Sequence, residues 1–185
     1  MVLANDLSVR DGLPMATKTN LESVLSCVGA RMNRDEDVLV LLITSHEGIS
    51  LEGPQQPSGL EEKVLTPRDL RDMLNVAGIK WRVLIVAGCH SGVFMPFFRD
   101  VSTMIVTAAS SDRPSYGCAA GREMTELGQV SFGESLTHER YWPKAFEDAF
   151  ALVNRRETLF HQVHSEPQMW VGPEIDTKLH LLAGH

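Results

Sequence analysis

The chain has 185 residues, 43% of them apolar and 22% charged, with a formal charge of -7. That length and composition describe one packed domain, read here as a single unit over residues 1–185. The acidic balance lacks the basic footprint that a phosphate backbone demands, so general nucleic-acid binding is excluded. No apolar run reaches the roughly 18 residues of a membrane span, and no leader opens the chain, so neither a span nor an export signal is expected within it.

No internal repeat or low-complexity tract is present. Apolar runs alternate with amphipathic stretches, the signature of an α/β domain built on a mostly parallel sheet. Val2-Leu3-Ala4 reads as a strand stub. Thr19 or Asn20 is expected to cap a helix running to about Met32, with Leu21, Val24, Leu25 and Val28 inward. Val38 to Ile43 is a near-continuous apolar run, the pattern of a central parallel strand buried on both faces. It stops at Thr44-Ser45-His46-Glu47-Gly48, and residues 49–65, with Gly53, Pro54, Pro57 and Gly59, read as a loop.

Thr66-Pro67-Arg68-Asp69 is a helix start, with the hydroxyl at the cap and proline in the first turn. Gly78 is expected to end that helix. Trp81 to Ala87 is a second buried strand, which runs into Gly88-Cys89-His90-Ser91-Gly92. Met104 to Ala109 is a third strand, followed by the polar loop Ser110 to Ser115. Helices are expected near 123–136 and from Pro143 to His161, then a short strand over Gln168 to Val171. The last dozen residues read as irregular.

Ligands in open α/β sheets bind beyond the carboxyl ends of the strands. His46 lies just past the first long strand and Cys89 just past the next, 89 − 46 = 43 residues apart, room for one crossover. If the two strands are neighbours, thiol and imidazole face one crevice, the minimal unit of nucleophilic acyl transfer. Gly88 and Gly92 let the backbone turn sharply and a substrate approach. The amide of Cys89 is one expected oxyanion donor, and a backbone amide just after His46, from Glu47 or Gly48, a second.

The other candidates are weaker. Buried cysteines are mostly packing residues, and Cys27 sits in the first helix pattern. Cys118 lies in a loop, buried or free. Three scattered cysteines make neither a disulfide scaffold nor a CxxC zinc site, and their odd number fits reduced thiols. A metal set from His46, Cys89, His90 and Cys118 lacks ligand-type spacing. A serine nucleophile elbow fails on pattern, because Ser91 stands one place late.

Together these residues resemble the legumain-like cysteine peptidases (asparaginyl endopeptidases), especially their bacterial members, which share the caspase–hemoglobinase fold. The resemblance covers roughly Asn5 to Gly172. Thr44-Ser45-His46 is similar to the family's Thr-Ser-His-Gly motif, and Gly88-Cys89-His90-Ser91-Gly92 to its Ala-Cys-x-Ser-Gly motif. Thr107-Ala108-Ala109 through Cys118 is similar to the loop lining the specificity pocket, and Ser-Glu-Pro-Gln at 165–168 recurs in bacterial members.

The resemblance implies a caspase-like three-layer αβα sandwich that lacks the family's first strand and helix. It implies a cysteine endopeptidase acting on peptide or protein substrates without metal or cofactor, with His46 as general base and acid and Cys89 as nucleophile. Ser115 would line the pocket for the residue before the cleaved bond. Glu47 stands where the family has glycine directly after the histidine, with Gly48 one place later. Ala87 replaces an acidic pocket residue, and Gln129, beside Leu127-Gly128, replaces a second. A strict asparagine preference is therefore not expected. Caspase-like proteins pair through sheet edges, which makes a homodimer an option, and bacterial relatives are often envelope-associated. Two other readings stay open. One is an inactive homologue that serves as a binding module. The other is an incomplete chain, which an upstream strand and helix would complete.

Overall fold

The structure is a computed structural model and describes residues 1–4, 12–44, 65–117 and 125–184. Four strands form one sheet in the order β1-β2-β3-β4: β1 (Val38–Thr44), β2 (Trp81–Ala87), β3 (Thr103–Thr107) and β4 (Gln168–Val171). The pairs β1–β2 and β2–β3 are parallel, and β3–β4 is antiparallel. Helices α1 (Lys18–Gly29) and α2 (Pro67–Val76) precede β1 and β2 in turn. After β3 come α3 (Glu126–Val130), a widened π turn over Ser131–Ser135, the short α4 (Leu136–His138) and the long α5 (Trp142–Leu159); α6 (Pro173–Ala183) follows β4.

Side-chain alternation along β2 builds both cores. Leu84 and Val86 face Leu21 and Leu25 of α1 and Leu70, Met73 and Leu74 of α2, joined by Phe94, Met95 and Phe98. Val83, Ile85 and Ala87 face the other way, toward Phe146, Ala149 and Val153 of α5 and Ile175 and Leu179 of α6. Every residue of β2 and β3 is buried, as strands covered on both faces should be. The result is an α/β/α sandwich on a mostly parallel sheet, the class expected from the sequence.

Local chemistry sets the element ends. Thr66 and Asp69 form a reciprocal capping box at the start of α2: the Asp69 N–H donates to Thr66 Oγ1 and the Thr66 N–H to Asp69 Oδ2, both at 3.1 Å. Thr17, not Thr19 or Asn20, caps α1, accepting from the Asn20 N–H at 3.1 Å. Thr125 caps α3 through the Gly128 N–H at 3.3 Å, so the helix expected near 123 begins at Glu126.

Three expectations are corrected. The run Val38 to Ile43 is a strand, but among the described residues it lies at the sheet edge. Val40 is 45% and Leu42 37% exposed on this strand, which among the described residues pairs with β2 alone. Residues 1–4 form no strand; the Ala4 N–H donates to Pro14 O at 3.0 Å instead. The last dozen residues are mostly helical. In α6 Pro173 occupies the first turn, Glu174 and Asp176 lie beside the helix N-terminus, and Gly184 ends it at φ +83°. No helix among the described residues is long and apolar enough to cross a membrane.

Candidate active site

β2 ends at Ala87, and the chain turns through Gly88 and Cys89 at its carboxyl end. His90 takes a left-handed conformation at φ +57°, a strained geometry for a residue with a side chain and one that recurs at functional turns. Its N–H donates to Arg113 O at 2.9 Å. Its Nδ1 lies 3.1 Å from Ser111 O, a contact that requires the proton on Nδ1. The turn then runs into a 3-10 helix over Ser91–Phe97.

This turn is clamped against the loop that follows β3. Ser91 Oγ accepts from the Ala109 N–H at 3.2 Å and donates to Ala109 O at 3.4 Å. Gly92 packs so closely that a Cβ there would stand 2.5 Å from Ser111 N and 2.8 Å from Ser110 C. Only glycine fits without moving backbone.

Cys89 is half-buried, and Ser115 surrounds its sulfur. The Ser115 N–H donates to Sγ at 3.2 Å, Ser115 Oγ lies 3.7 Å away, and the thiol donates to Ser115 O at 3.5 Å. The loop thus supplies two donors to the sulfur and one acceptor for its proton. In the same loop Asp112 is held below the usual carboxylate range, first by the Ser110 hydroxyl at 2.8 Å and also by nearby Arg113 and His90.

The family model of the peptidase C13 family matches residues 16–175. The chain belongs to that family, the legumain-like cysteine peptidases. Membership supports a cysteine peptidase function and protein substrates. No curated protein matches the chain at a significant level.

Within this C13 peptidase framework the sequence-derived site residues fall as follows. Cys89 and Ser115 are in contact, as just described. Ala87 is buried at the last paired position of β2, two residues before Cys89. Gln129 is half-buried on α3, whose first residue is tied to the loop after β3: the Glu126 N–H donates to Tyr116 O at 2.7 Å. His46, Glu47, Gly48 and Cys118 lie outside the described residues. The chain is last described at Thr44, paired with Ala87.

Sequence reasoning missed the residues that brace the loop from outside. Ser165 O accepts the Ser110 N–H at 2.9 Å, and Arg113 Nη2 lies 3.3 Å from Glu166 Oε1. Glu157, 1% exposed, receives the Ser165 N–H at 3.0 Å. One signal was available: Glu157 continues the buried stripe Phe146, Ala149, Val153 at helical spacing, and a carboxylate on such a stripe needs a partner.

Proposed function

We propose that this chain is a cysteine endopeptidase in which Cys89 is the nucleophile and His46 the general base and acid. His46 takes the thiol proton as Sγ attacks the substrate carbonyl carbon. The tetrahedral oxyanion is met by the Cys89 N–H and by a backbone amide of Glu47 or Gly48, each such donor contributing on the order of 3 kcal/mol. Collapse breaks the C–N bond, and His46 returns the proton to the leaving amine. The thioester left on Cys89 is then hydrolysed by water, with His46 again as base. Ser115, Ala87 and Gln129 line the pocket for the residue before the cut. With no carboxylate from Ala87 or Gln129, that pocket favours no strict asparagine selection.

The observation that carries this reading is register. Thr44 pairs with Ala87, and β1 and β2 are adjacent and parallel. The two strand ends, about 5 Å apart, are each followed two residues later in sequence by one member of the pair, His46 after Thr44 and Cys89 after Ala87. That spacing favours an imidazole and a thiol sharing one crevice.

The test is digestion of a mixed peptide library by the wild type, Cys89→Ser and His46→Ala. Turnover by the wild type, lowered about a thousandfold or more in each variant, is expected. Glu47, standing where the family has glycine, favours a second reading, an inactive homologue that binds peptides. A folded wild type that binds library peptides but cleaves none would establish that reading instead.

A further inference from the structure

Glu157 is a buried carboxylate that the proposed chemistry does not use, and its contacts lead to Cys89. It lies in the last turn of α5 and closes the following turn from two sides. Its backbone carbonyl accepts the Gln162 N–H at 2.8 Å, and its Oε2 accepts the Ser165 N–H at 3.0 Å. His164 Nδ1 stands 3.5 Å from the same Oε2. The turn needs such fastening, because His161 and Glu166 both adopt left-handed backbone, each at φ +54°. Neither is glycine, so the surrounding contacts must hold them there.

The fastened turn grips the active-site loop at two points. Ser165 O accepts the Ser110 N–H at 2.9 Å, and the Glu166 carboxylate faces the Arg113 guanidinium at 3.3 Å. Arg113 O in turn accepts the His90 N–H, and two residues further on Ser115 holds the Cys89 sulfur. Few bonds separate the buried carboxylate from the thiol, and the two that join the turn to the loop, Ser110 to Ser165 and Arg113 to Glu166, link segments far apart in sequence.

We propose that Glu157 is a positioning residue for the Cys89 site: by fixing the Ser165–Glu166 turn, it sets the Ser110–Ser115 loop against the thiol. This rests on the reading of Cys89 as the nucleophile. It predicts two opposite effects when the anchor is lost. The loop half-covers the sulfur, so its release opens Cys89 to a small reagent. The same release spoils the alignment of a bound peptide.

The test compares full-chain Glu157→Ala and Glu157→Gln with the wild type, well below the unfolding temperature of all three. Iodoacetamide alkylation is followed by peptide mapping, with Cys27 as internal reference, beside labelling by a peptidyl acyloxymethyl ketone. In Glu157→Ala, alkylation of Cys89 is expected to rise at least fivefold with Cys27 unchanged, while peptidyl labelling slows at least fivefold. Glu157→Gln keeps an acceptor for the Ser165 N–H and should restore both rates to within twofold. General loosening would speed Cys27 as well. Equal Cys89 rates in folded Glu157→Ala and wild type would overturn the proposal, as would a rise shared by Cys27. Should Glu157→Ala fail to fold, Glu166→Gln, at a half-exposed side chain, decides: a change in Cys89 alkylation in the same direction supports the anchor, and no change overturns it. The iodoacetamide arm needs no peptide turnover. A wild type inert to every peptidyl probe would therefore refute the peptidase reading while leaving the positioning role to be judged by alkylation.

Discussion

Thr44 pairs with Ala87 at the last step of the parallel β1–β2 ladder, so two strands release the chain side by side at the same end of the sheet. The segment leaving β1 carries His46, and the one leaving β2 carries Cys89. A parallel register is what would let residues 43 apart in sequence (89 − 46) serve one reaction, as proposed for this pair. The loop after β3 then closes over the thiol through Ser115, and the turn after α5 braces that loop.

The clamp at Gly92 leaves no room for a side chain. Gly92→Ala would place a methyl 2.5 Å from Ser111 N and 2.8 Å from Ser110 C, both backbone atoms. The expected cost is about 1–3 kcal/mol of stability, with kcat/KM for any cleaved peptide lowered at least tenfold as the Ser110–Ser115 loop is pushed away. Thermal unfolding and steady-state kinetics on the purified variant check both. A variant as stable and as active as the wild type would show that the loop is not seated this closely.

The capping box of α2 gives the fold an acid-sensitive point. Asp69 is held below its ordinary value of 3.8, mainly by Lys18 at 2.8 Å and then by Thr66. A depressed folded-state value means the stabilisation is present above pH 3.8 and is lost as pH falls through the lower folded-state value. Asp69→Asn keeps an acceptor for the Thr66 N–H but loses the charge facing Lys18, and is expected to cost less than about 1 kcal/mol at neutral pH. Its difference from the wild type should shrink below pH 3.8 in unfolding curves taken across that range. A difference that stays constant down to strongly acid pH would contradict the Lys18–Asp69 pairing as the source of the acid sensitivity.

At the alkaline end the responsible group is Tyr141. Burial and the Asp176 carboxylate that accepts its hydroxyl proton raise it from 10.0 to about 12. A raised folded-state value means its contribution is complete below pH 10 and is lost as pH rises through about 12. Phenolate absorbance titration of the wild type against Tyr141→Phe should isolate a phenol ionising near 12. Ionisation of that difference signal near 10 would remove the Tyr141–Asp176 bond from the account.

Exposure separates β1 from its neighbour β2 energetically. Leu84 on β2 is 1% exposed, whereas Leu42 on β1 is 37% exposed. Leu84→Ala is expected to cost about 2–5 kcal/mol, as for other fully buried leucines. Leu42→Thr should cost less than about 1 kcal/mol. Denaturant unfolding of both variants checks the contrast, and similar large losses would mean that the outer part of β1 is covered.

Much of this architecture was legible before any coordinates. Trp81 to Ala87 and Gln168 to Val171 were readable because an apolar run bounded by turn residues has few alternatives. Thr66-Pro67-Arg68-Asp69 announces a helix with its own capping atoms. Cys89 was readable from its place after a buried strand and between glycines. What escaped had either a blurred or a non-local signal. In α6, Ile175 and Leu179 are buried one turn apart, but Leu181 and Leu182, 72% and 66% exposed, obscure the periodicity. The edge position of β1 escaped because an apolar run reports composition, not which neighbours cover it. The bracing of the Ser110–Ser115 loop rests on a backbone bond from Ser110 to Ser165 and on Glu157; helical spacing marks Glu157 as a buried carboxylate in need of a partner, but no spacing says which amides these groups pair with.

Intact-mass spectrometry after treatment with a peptidyl acyloxymethyl ketone tests the central claim most directly. The wild type should gain one adduct, mapped to Cys89, which is absent in Cys89→Ala. In His46→Ala its formation should slow at least about a hundredfold, the scale of lost general-base assistance. No adduct on the folded wild type, an adduct on Cys27 or Cys118 instead, or an unchanged rate in His46→Ala would contradict a Cys89 nucleophile served by His46.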